Sequence, residues 1–377
     1  MAVAQNPAAP ETRGFTEWLD RHCGPVMVLP AVIVILAFAL FPLIVSAYLA
    51  LSRFALAPGG FTLRFIGLAN FRKLLFGSQQ YHLLGAFGSL GVLQWLLIIL
   101  IAGLLLYLLY RYFTSGQVSI MGALGRLIAA ATAMGLVLCV ILTTAQGGVP
   151  GTIVNTLLYV VLGVAVQFAL GLGLALLCGQ PIRGRNVFRV LFFIPLMVTP
   201  VGIAYTFRML ADMQKGPFAP LTQAFGITEW SWATEAWSAR LMVLVGDTWQ
   251  WTPFMFIVLL AAIENQPRDQ VEAAKLDGAN GLQIFRDITW PAIAPIAATV
   301  VLIRLIEAFK IIDLPNVLTG GGPGLATESL TLHSFIAWRT QDLGGSAAVG
   351  YMLLFISTVT CVSFFNFVVR PARRHEA

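Results

Sequence analysis

The sequence predicts an all-α integral membrane protein with about eight transmembrane helices. Of its 377 residues, 58% are hydrophobic and 11% are charged, and the mean hydropathy is +0.83. Apolar runs longer than about 18 residues are typical of helices that cross a bilayer. The sequence contains eight such runs, near residues 26–51, 83–110, 127–145, 153–178, 187–210, 241–263, 291–312 and 347–369.

The loops between these runs differ in their content of Lys and Arg. Loops on alternate sides of the runs hold 13 of these residues on one side and 7 on the other. By the positive-inside rule the richer side is cytoplasmic, and it includes both termini and residues 264–291. Four basic residues in the first loop of the other side oppose this orientation without reversing it: Arg53, Arg64, Arg72 and Lys73.

The two ends of the chain are predicted to be tails. Residues 1–25 are polar and precede an apolar run of about 26 residues, which is longer than the hydrophobic region of a signal peptide. We therefore predict a cytoplasmic tail over 1–25, a retained membrane helix with its outer loop over 26–76, and a second cytoplasmic tail over 370–377.

Glycine and proline mark two of the apolar runs. Gly163, Gly171 and Gly173 in the fourth run allow close approach of another helix. In the fifth run, Pro195 and Pro200 each lack a backbone N–H donor, which predicts a kink or a break.

The residues that catalysis or metal binding requires are not grouped in the sequence. The four Cys residues form no CxxC pattern, and the four His residues are dispersed in loops and tails. The phosphate-binding pattern GxxxxGK[ST] is absent, and the basic residues are not interleaved with aromatic ones. We predict no catalytic residue, metal site or cofactor in this chain, and no nucleic-acid partner.

The polar segment, residues 264–291, lies between two apolar runs and reads ENQPRDQVEAAKLDGANGLQIFRDITWP. Pro267 fits the first turn of a helix, and Gly278 fits its end. Val271, Ala274 and Gly278 fall at i, i+3 and i+7, so one face of this helix is small and smooth. We predict a helix-turn-helix that docks on a soluble partner.

The polar segment resembles the signature of permease subunits of binding-protein-dependent bacterial ABC importers. The signature is EAA, three residues, Gly, nine residues, Ile, one residue and Leu-Pro, and the matching residues are Glu272, Ala273, Ala274, Gly278, Ile288 and Pro291. Trp290 stands where the family usually has Leu. Further segments resemble the maltose-type sugar permeases of this family: FPLIVSAYLALSRF, FIGLANF, RGRNVFRVLFFIP, EAAKLDGA and FKIIDLPNVLTGGGP.

This resemblance covers most of residues 26–76 and 153–369, which implies a six-span permease core. It fails over residues 77–152, where two additional spans lie. We predict that these two spans are a pair inserted into the core.

The resemblance also implies partners. The helix that carries EAA would be a coupling helix in a cleft of a separate cytoplasmic ABC ATPase dimer, which would bind ATP and Mg²⁺. The implied coupling residues are Glu272, Ala273, Ala274, Asp277, Gly278, Ile288 and Pro291. A second EAA-type permease subunit, a periplasmic or extracytoplasmic solute-binding protein and the lipid of a bacterial cytoplasmic (inner) membrane complete the expected surroundings.

Polar residues inside three spans are candidates for the path of a small-molecule substrate. In the sixth run, Trp rings can stack on a sugar, and Asp and Gln can hydrogen-bond its hydroxyls; packing against the second subunit is the alternative. The candidates in the sixth run are Asp247, Trp249, Gln250 and Trp251. The fourth run adds Asn155, Tyr159 and Gln167, which can equally join helices together.

Three ionisable residues in the seventh run leave two interpretations open. Arg304, Glu307 and Lys310 are spaced i, i+3 and i+6, so they can pair along one helix. Charged groups in a span usually face a cavity or a partner helix, so they can also line the path.

The predicted function is that of a transport subunit, not an enzyme, which forms half of the path of an ATP-driven importer for a sugar or a related polyol. One alternative is a permease for glycerol or glycerol phosphate. An alternative of another class is an ion-coupled secondary transporter, which predicts an inverted internal repeat that the sequence does not display.

Overall fold

The computed structural model describes residues 23–24, 27–114, 119–180, 183–212, 215–217, 219–224 and 234–371. Within these ranges seven helices are long and apolar enough to cross a membrane, and a bent pair of helices is an eighth candidate. The helices are α1 (Met27–Ala50), α2 (Ala69–Phe76), α3 (Gln80–Leu84), α4 (Val92–Phe113), α5 (Ile120–Thr144), α6 (Thr152–Cys178), α7 (Arg185–Met197), α8 (Pro200–Leu210), α9 (Ala219–Ala224), α10 (Ala236–Glu264), α11 (Arg268–Leu276), α12 (Gly281–Ala308), α13 (Leu330–Arg339) and α14 (Leu343–Val369).

The membrane-helix architecture predicted from the sequence is confirmed, with local strands added in two loops. After α1 the chain forms an antiparallel hairpin of β1 (Ser52–Ala57) and β2 (Gly60–Phe65). A second antiparallel pair consists of two short strands of two residues each, β3 (Gly85–Ala86) and β4 (Val149–Pro150). Because β3 occupies the start of the second apolar run, α4 begins at Val92 and not near residue 83 as predicted.

The fifth predicted span is broken. Helices α7 and α8 meet at an angle of 99°. The break lies at Val198 and Thr199, whose backbones are extended, and the Thr199 hydroxyl accepts a hydrogen bond from the Gly202 N–H at 3.3 Å. Pro200 starts α8, where its missing N–H costs nothing. The break predicted at Pro200 is present, whereas Pro195 remains inside α7.

Helix α10 lies at the centre of the bundle. It packs against α6, α7, α8 and α12, and its Met255, Phe256 and Leu259 are fully buried. Gly171 of α6 permits the contact, because a Cβ at this position would lie 2.5 Å from the Cβ of Met255. Gly173 faces open space within the described structure, so the predicted close approach is confirmed for Gly171 and stays a prediction for Gly173.

Several loops gather at one end of the bundle, which we call the polar end. Arg189 of α7 forms an ion pair with Glu264, the last residue of α10. The last turn of α14 packs against α12 just after the polar segment, and Phe367 of α14 lies beside the α4–α5 hairpin. These loops are the ones that the Lys and Arg count groups on one side; their cytoplasmic orientation stays a prediction. The predicted tails, 1–25 and 370–377, lie almost wholly outside the described residues.

Candidate functional site

Three spans contribute one polar side chain each to a buried cluster. Gln167 of α6, Asp247 of α10 and Arg304 of α12 are at most 2% exposed. Arg304 donates from Nη2 to Asp247 Oδ2 at 2.5 Å and from Nε to Gln167 Oε1 at 2.7 Å. Gln167 donates from Nε2 to the same Asp247 oxygen at 2.8 Å. The three side chains therefore form a closed triangle, which we call the buried triad.

The buried triad neutralises charges that would be costly alone. An unpaired ion in a low-dielectric interior costs several kcal/mol, and pairing with further hydrogen bonds offsets much of this cost. The Trp251 ring adds a cation–π contact, with the Arg304 Cζ 4.6 Å from its centroid. The triad therefore links α6, α10 and α12 by hydrogen bonds, and the charges of Asp247 and Arg304 are paired with each other.

The predicted pairing along the seventh span is only partly present. Lys310 Nζ bonds Glu307 Oε1 at 2.7 Å, near the surface. Arg304 instead reaches across to Asp247 on α10. The sequence spacing identified residues able to pair but not the helix that Arg304 faces.

The other α10 candidates lie on different faces of that helix. Gln250 is 5% exposed, whereas Trp249 is 42% exposed and packs edge-on against Phe207, with the ring centroids 5.9 Å apart. Trp249 lines a groove of about 790 Å³ between α6, α7 and α10. The walls of this groove are mostly aliphatic and aromatic, with Leu162, Val166, Leu191, Phe192 and Leu244 among them.

A second cluster of polar side chains forms hydrogen bonds to the backbone of the loop that precedes α13. Asn155 donates to the carbonyl oxygens of Leu325 and Glu328 at 2.9 and 3.2 Å, and it accepts from Arg240 Nε at 3.0 Å. The hydroxyl of Tyr159 donates to the Thr327 carbonyl at 3.1 Å. Asn155 and Tyr159 were both candidates for the substrate path. In this structure they hydrogen-bond to backbone carbonyls of residues 325–328.

A third cluster joins two histidines and a glutamate. The sequence, in which the histidines are dispersed, did not predict it. His82 Nε2 and His333 Nδ1 lie 2.8 and 2.9 Å from the two oxygens of Glu328, and the imidazole centroids are 4.2 Å apart. Each residue offers one ligand atom, and these atoms all lie within 4.8 Å of one another. These three residues have the donor set of a two-histidine, one-carboxylate cation site. Both carboxylate oxygens of Glu328 are already hydrogen-bonded to the imidazole rings.

Two opposing effects act on the Glu328 carboxyl. Burial raises its pKa, while the hydrogen bonds and charges of His333 and His82 lower it, and the net pKa lies below the ordinary value of 4.5. Glu328 is therefore charged at neutral pH and held by both rings. His82 and Glu328 are 246 positions apart in the sequence, so no local motif indicates their contact.

The predicted coupling residues lie on an exposed helix with a well-formed end. Gly278 has φ of +81°, its N–H donates to the Lys275 carbonyl at 3.1 Å, and the Ala279 N–H donates to the Ala274 carbonyl at 2.9 Å. This is the Schellman motif. Pro267 is the N-cap of the first helix and not part of its first turn as predicted, so the helix begins one residue later, at Arg268. Glu272, Ala273, Asp277 and Pro291 are exposed, and Ala274 and Ile288 are half-buried.

The second half of the polar segment is anchored to the bundle. Asn280 caps α12, accepting from Gln283 N at 2.9 Å while its own N–H donates to Gln283 Oε1 at 2.8 Å. Trp290, which departs from the signature, packs edge-on against Phe168 of α6, with the centroids 6.4 Å apart. Two apolar residues that the sequence analysis did not single out protrude here: Leu276 is 89% and Leu282 75% exposed.

Comparison with known proteins identifies the family. Residues 167–375 match the family described as "Binding-protein-dependent transport system inner membrane component". The trehalose/maltose transport system permease protein MalF of Thermococcus litoralis is 33% identical over 189 residues, which are 50% of this chain and 64% of that protein. The sn-glycerol-3-phosphate transport system permease protein UgpA of Yersinia pestis is 28% identical over 221 residues, 58% of this chain and 75% of that protein.

A solved structure supports the fold. The crystal structure of a bacterial alginate ABC transporter, in complex with an alginate pentasaccharide-bound periplasmic protein, contains a similar chain with a TM-score of 0.62. The superposition covers 96% of this chain and 98% of the other at 17% sequence identity, so the likeness concerns architecture alone.

Proposed function

Because the chain belongs to the family of binding-protein-dependent transport system inner membrane components, we propose that it is one transmembrane subunit of an ATP-driven importer for a sugar or a related polyol. The observation that carries this proposal is the exposed helix α11 with the EAA signature. A protruding polar helix between two spans, ended by a fixed turn and anchored at its far side, is suited to receive force from a soluble partner.

The proposed partner of α11 is a cytoplasmic ABC ATPase dimer, which would hold ATP and Mg²⁺. The exposed side chains of Leu276 and Leu282 support docking, because apolar groups this accessible are stabilised when a partner covers them. Glu272 supplies a charge for a basic residue of the ATPase, and the small Ala273 allows close approach. Movement of α11 passes to the bundle through the anchored turn and Trp290.

A second permease subunit is the proposed occupant of the groove between α6, α7 and α10. Its walls are mostly apolar, with Thr248, Trp249 and Thr252 as the side chains that can hydrogen-bond, so it offers few partners for the many hydroxyls of a sugar. An apolar helix of another subunit fits this surface better. A solute-binding protein would deliver the substrate at the end of the bundle opposite α11.

The proposed cargo is neutral, on the grounds of charge. Arg304 is engaged by Asp247 and Gln167, and Lys310 is engaged by Glu307. These paired cations favour a sugar or polyol over glycerol phosphate. The family match supports ATP coupling and leaves an ion-coupled secondary transporter without support.

Vesicles that contain the whole assembly test the proposal. We expect Glu272→Ala to reduce ATP-driven uptake of a maltose-type sugar at least several-fold while the assembly remains intact. Gln270→Ala, on the opposite face of the same helix, is the control and should transport normally. Undiminished uptake in the Glu272 variant, with a second variant at exposed Leu276 also unaffected, would reject the coupling role of α11.

A further inference from the structure

The α4–α5 pair encloses a basic pocket at the polar end. The pocket has a volume of about 450 Å³ and lies between α4, α5 and the last turns of α14. Arg111 and Tyr112 come from the end of α4, Arg126 from the start of α5, and Phe367 from α14. Apart from Ser363, the rest of the wall is aliphatic, including Leu105, Leu108, Leu109, Ala129 and Ala130.

No carboxylate among the described residues balances the charge of this pocket. Arg126 is half-buried and stacks on Tyr112, with Cζ 3.4 Å from the ring centroid, and Arg111 is exposed at the rim. In the part of the chain that the structure describes, neither guanidinium has a carboxylate within ion-pair distance. Two cations on an apolar wall attract an anionic group, and guanidinium binds phosphate oxygens in bidentate geometry.

An apolar groove continues from the basic pocket toward the opposite end of the bundle. This groove has a volume of about 760 Å³, and it shares Ala129, Ala133 and Ser363 with the pocket. It follows α5 as far as Thr144, which at 1.5 Å per residue is roughly 22 Å. Its walls come mainly from α4, α5, α6 and α14, with Trp237 of α10, and most of the lining side chains are aliphatic.

We propose that this continuous cleft binds one anionic phospholipid, with the phosphate between Arg111 and Arg126 and an acyl chain along α5. Charge complementarity selects an anionic headgroup, and the apolar groove selects a lipid over a free anion because only a lipid has an acyl chain that can fill the groove with van der Waals contacts. Basic pockets between membrane helices that hold acidic headgroups follow this chemistry. The lipid fills the gap between the α4–α5 pair and the core, so that both move as one body. This proposal does not depend on the proposed function.

Native mass spectrometry of the delipidated full chain tests the site. The probes are phosphatidylglycerol and phosphatidylcholine with identical acyl chains, and inorganic phosphate. We expect phosphatidylglycerol to bind, and we expect Arg111→Gln/Arg126→Gln to weaken its binding roughly 25-fold, because each cation near a headgroup contributes about a factor of five. Arg53→Gln/Arg64→Gln is the matched control, since it removes two arginines that face each other across the β1–β2 hairpin at the other end.

Val137→Phe tests the acyl chain apart from the headgroup, because Val137 lines the groove and not the basic pocket. This variant keeps both arginines but narrows the groove, so weaker phosphatidylglycerol binding supports an acyl chain along α5. Equal retention of phosphatidylglycerol by the Arg111/Arg126 double variant and the wild type would overturn the proposal. Equal binding of phosphatidylcholine, or displacement of phosphatidylglycerol by an equimolar amount of inorganic phosphate, would overturn it as well.

Discussion

Arg304 on α12 donates a hydrogen bond to Asp247 on α10, with 2.5 Å between Nη2 and Oδ2, and both side chains are buried in the middle of the bundle. Gln167 on α6 bonds both partners. The arrangement makes two intramembrane charges into one neutral unit. Any motion that separates α10 from α12 must break this unit or carry it along intact.

Removing one partner of this pair is expected to be more harmful than removing both. Asp247→Leu leaves a buried guanidinium unpaired, and we expect a loss of about 3–5 kcal/mol in unfolding free energy, because a lone buried charge keeps its desolvation cost. Arg304→Met should cost a similar amount. Denaturation in detergent micelles measures each value. In the double variant the loss should be well below the sum; additive losses would contradict the pairing.

Gly171 and Gly173 provide a matched comparison of helix packing. An added Cβ at Gly171 meets the Cβ of Met255 at 2.5 Å, whereas nothing described by the structure lies within 4 Å of a Cβ at Gly173. Gly171→Ala should push α6 and α10 apart and cost about 1–3 kcal/mol. Gly173→Ala should be neutral or slightly stabilising, since alanine favours a helix. Equal melting temperatures of the two variants would argue against the close α6–α10 contact.

Alanine variants of Gly278 and Gly281 distinguish the effect of backbone strain from that of steric contact. At both positions an added Cβ has open space among the described residues, but Gly278 alone of the two has a left-handed φ, of +81°. Gly278→Ala should therefore strain the turn after α11 by about 1–2 kcal/mol. Faster amide hydrogen exchange across residues 272–280, with the spans unchanged, would register this effect. The same exchange rates in Gly278→Ala and Gly281→Ala would show that the turn does not need glycine.

The histidine-bound carboxylate of Glu328 predicts a pH-dependent contribution to stability. Its pKa lies below the ordinary value of 4.5, so its stabilising effect is present above that value and is lost as the pH falls through the lowered pKa. Glu328→Gln should cost about 1–3 kcal/mol at pH 7, as expected for hydrogen bonds to a charged group. The difference from wild type should shrink in strong acid.

Thermal unfolding at several pH values measures this contribution. Glu307→Gln is the control, because Glu307 pairs with Lys310 near the surface, where ion pairs contribute little. A Glu328→Gln penalty that stays constant down to strongly acidic pH would disprove the linkage.

The sequence was most informative where a signal is local. The apolar runs predicted the spans, Pro200 predicted the break that lies next to it, and the EAA signature identified the exposed helix α11. Each of these features depends on the chemistry of consecutive residues, because a helix long enough for the bilayer satisfies its own backbone hydrogen bonds.

Side-chain partners inside the bundle required the tertiary structure. The spacing of Arg304, Glu307 and Lys310 allowed pairing on one helix, yet Arg304 faces α10. Likewise, the scattered positions of His82 and His333 concealed their meeting at Glu328. These contacts depend on the rotation of each helix about its own axis, which many weak packing contacts determine together.

The sequence by itself therefore determined that this protein spans a membrane, which family it resembles and where a soluble partner is expected to dock. The tertiary structure alone decided which buried charges neutralise one another and where a basic pocket opens into an apolar groove. The physical reason is that burial in the membrane follows from the apolar content of a segment, whereas pairing between segments follows from their relative position and orientation in space.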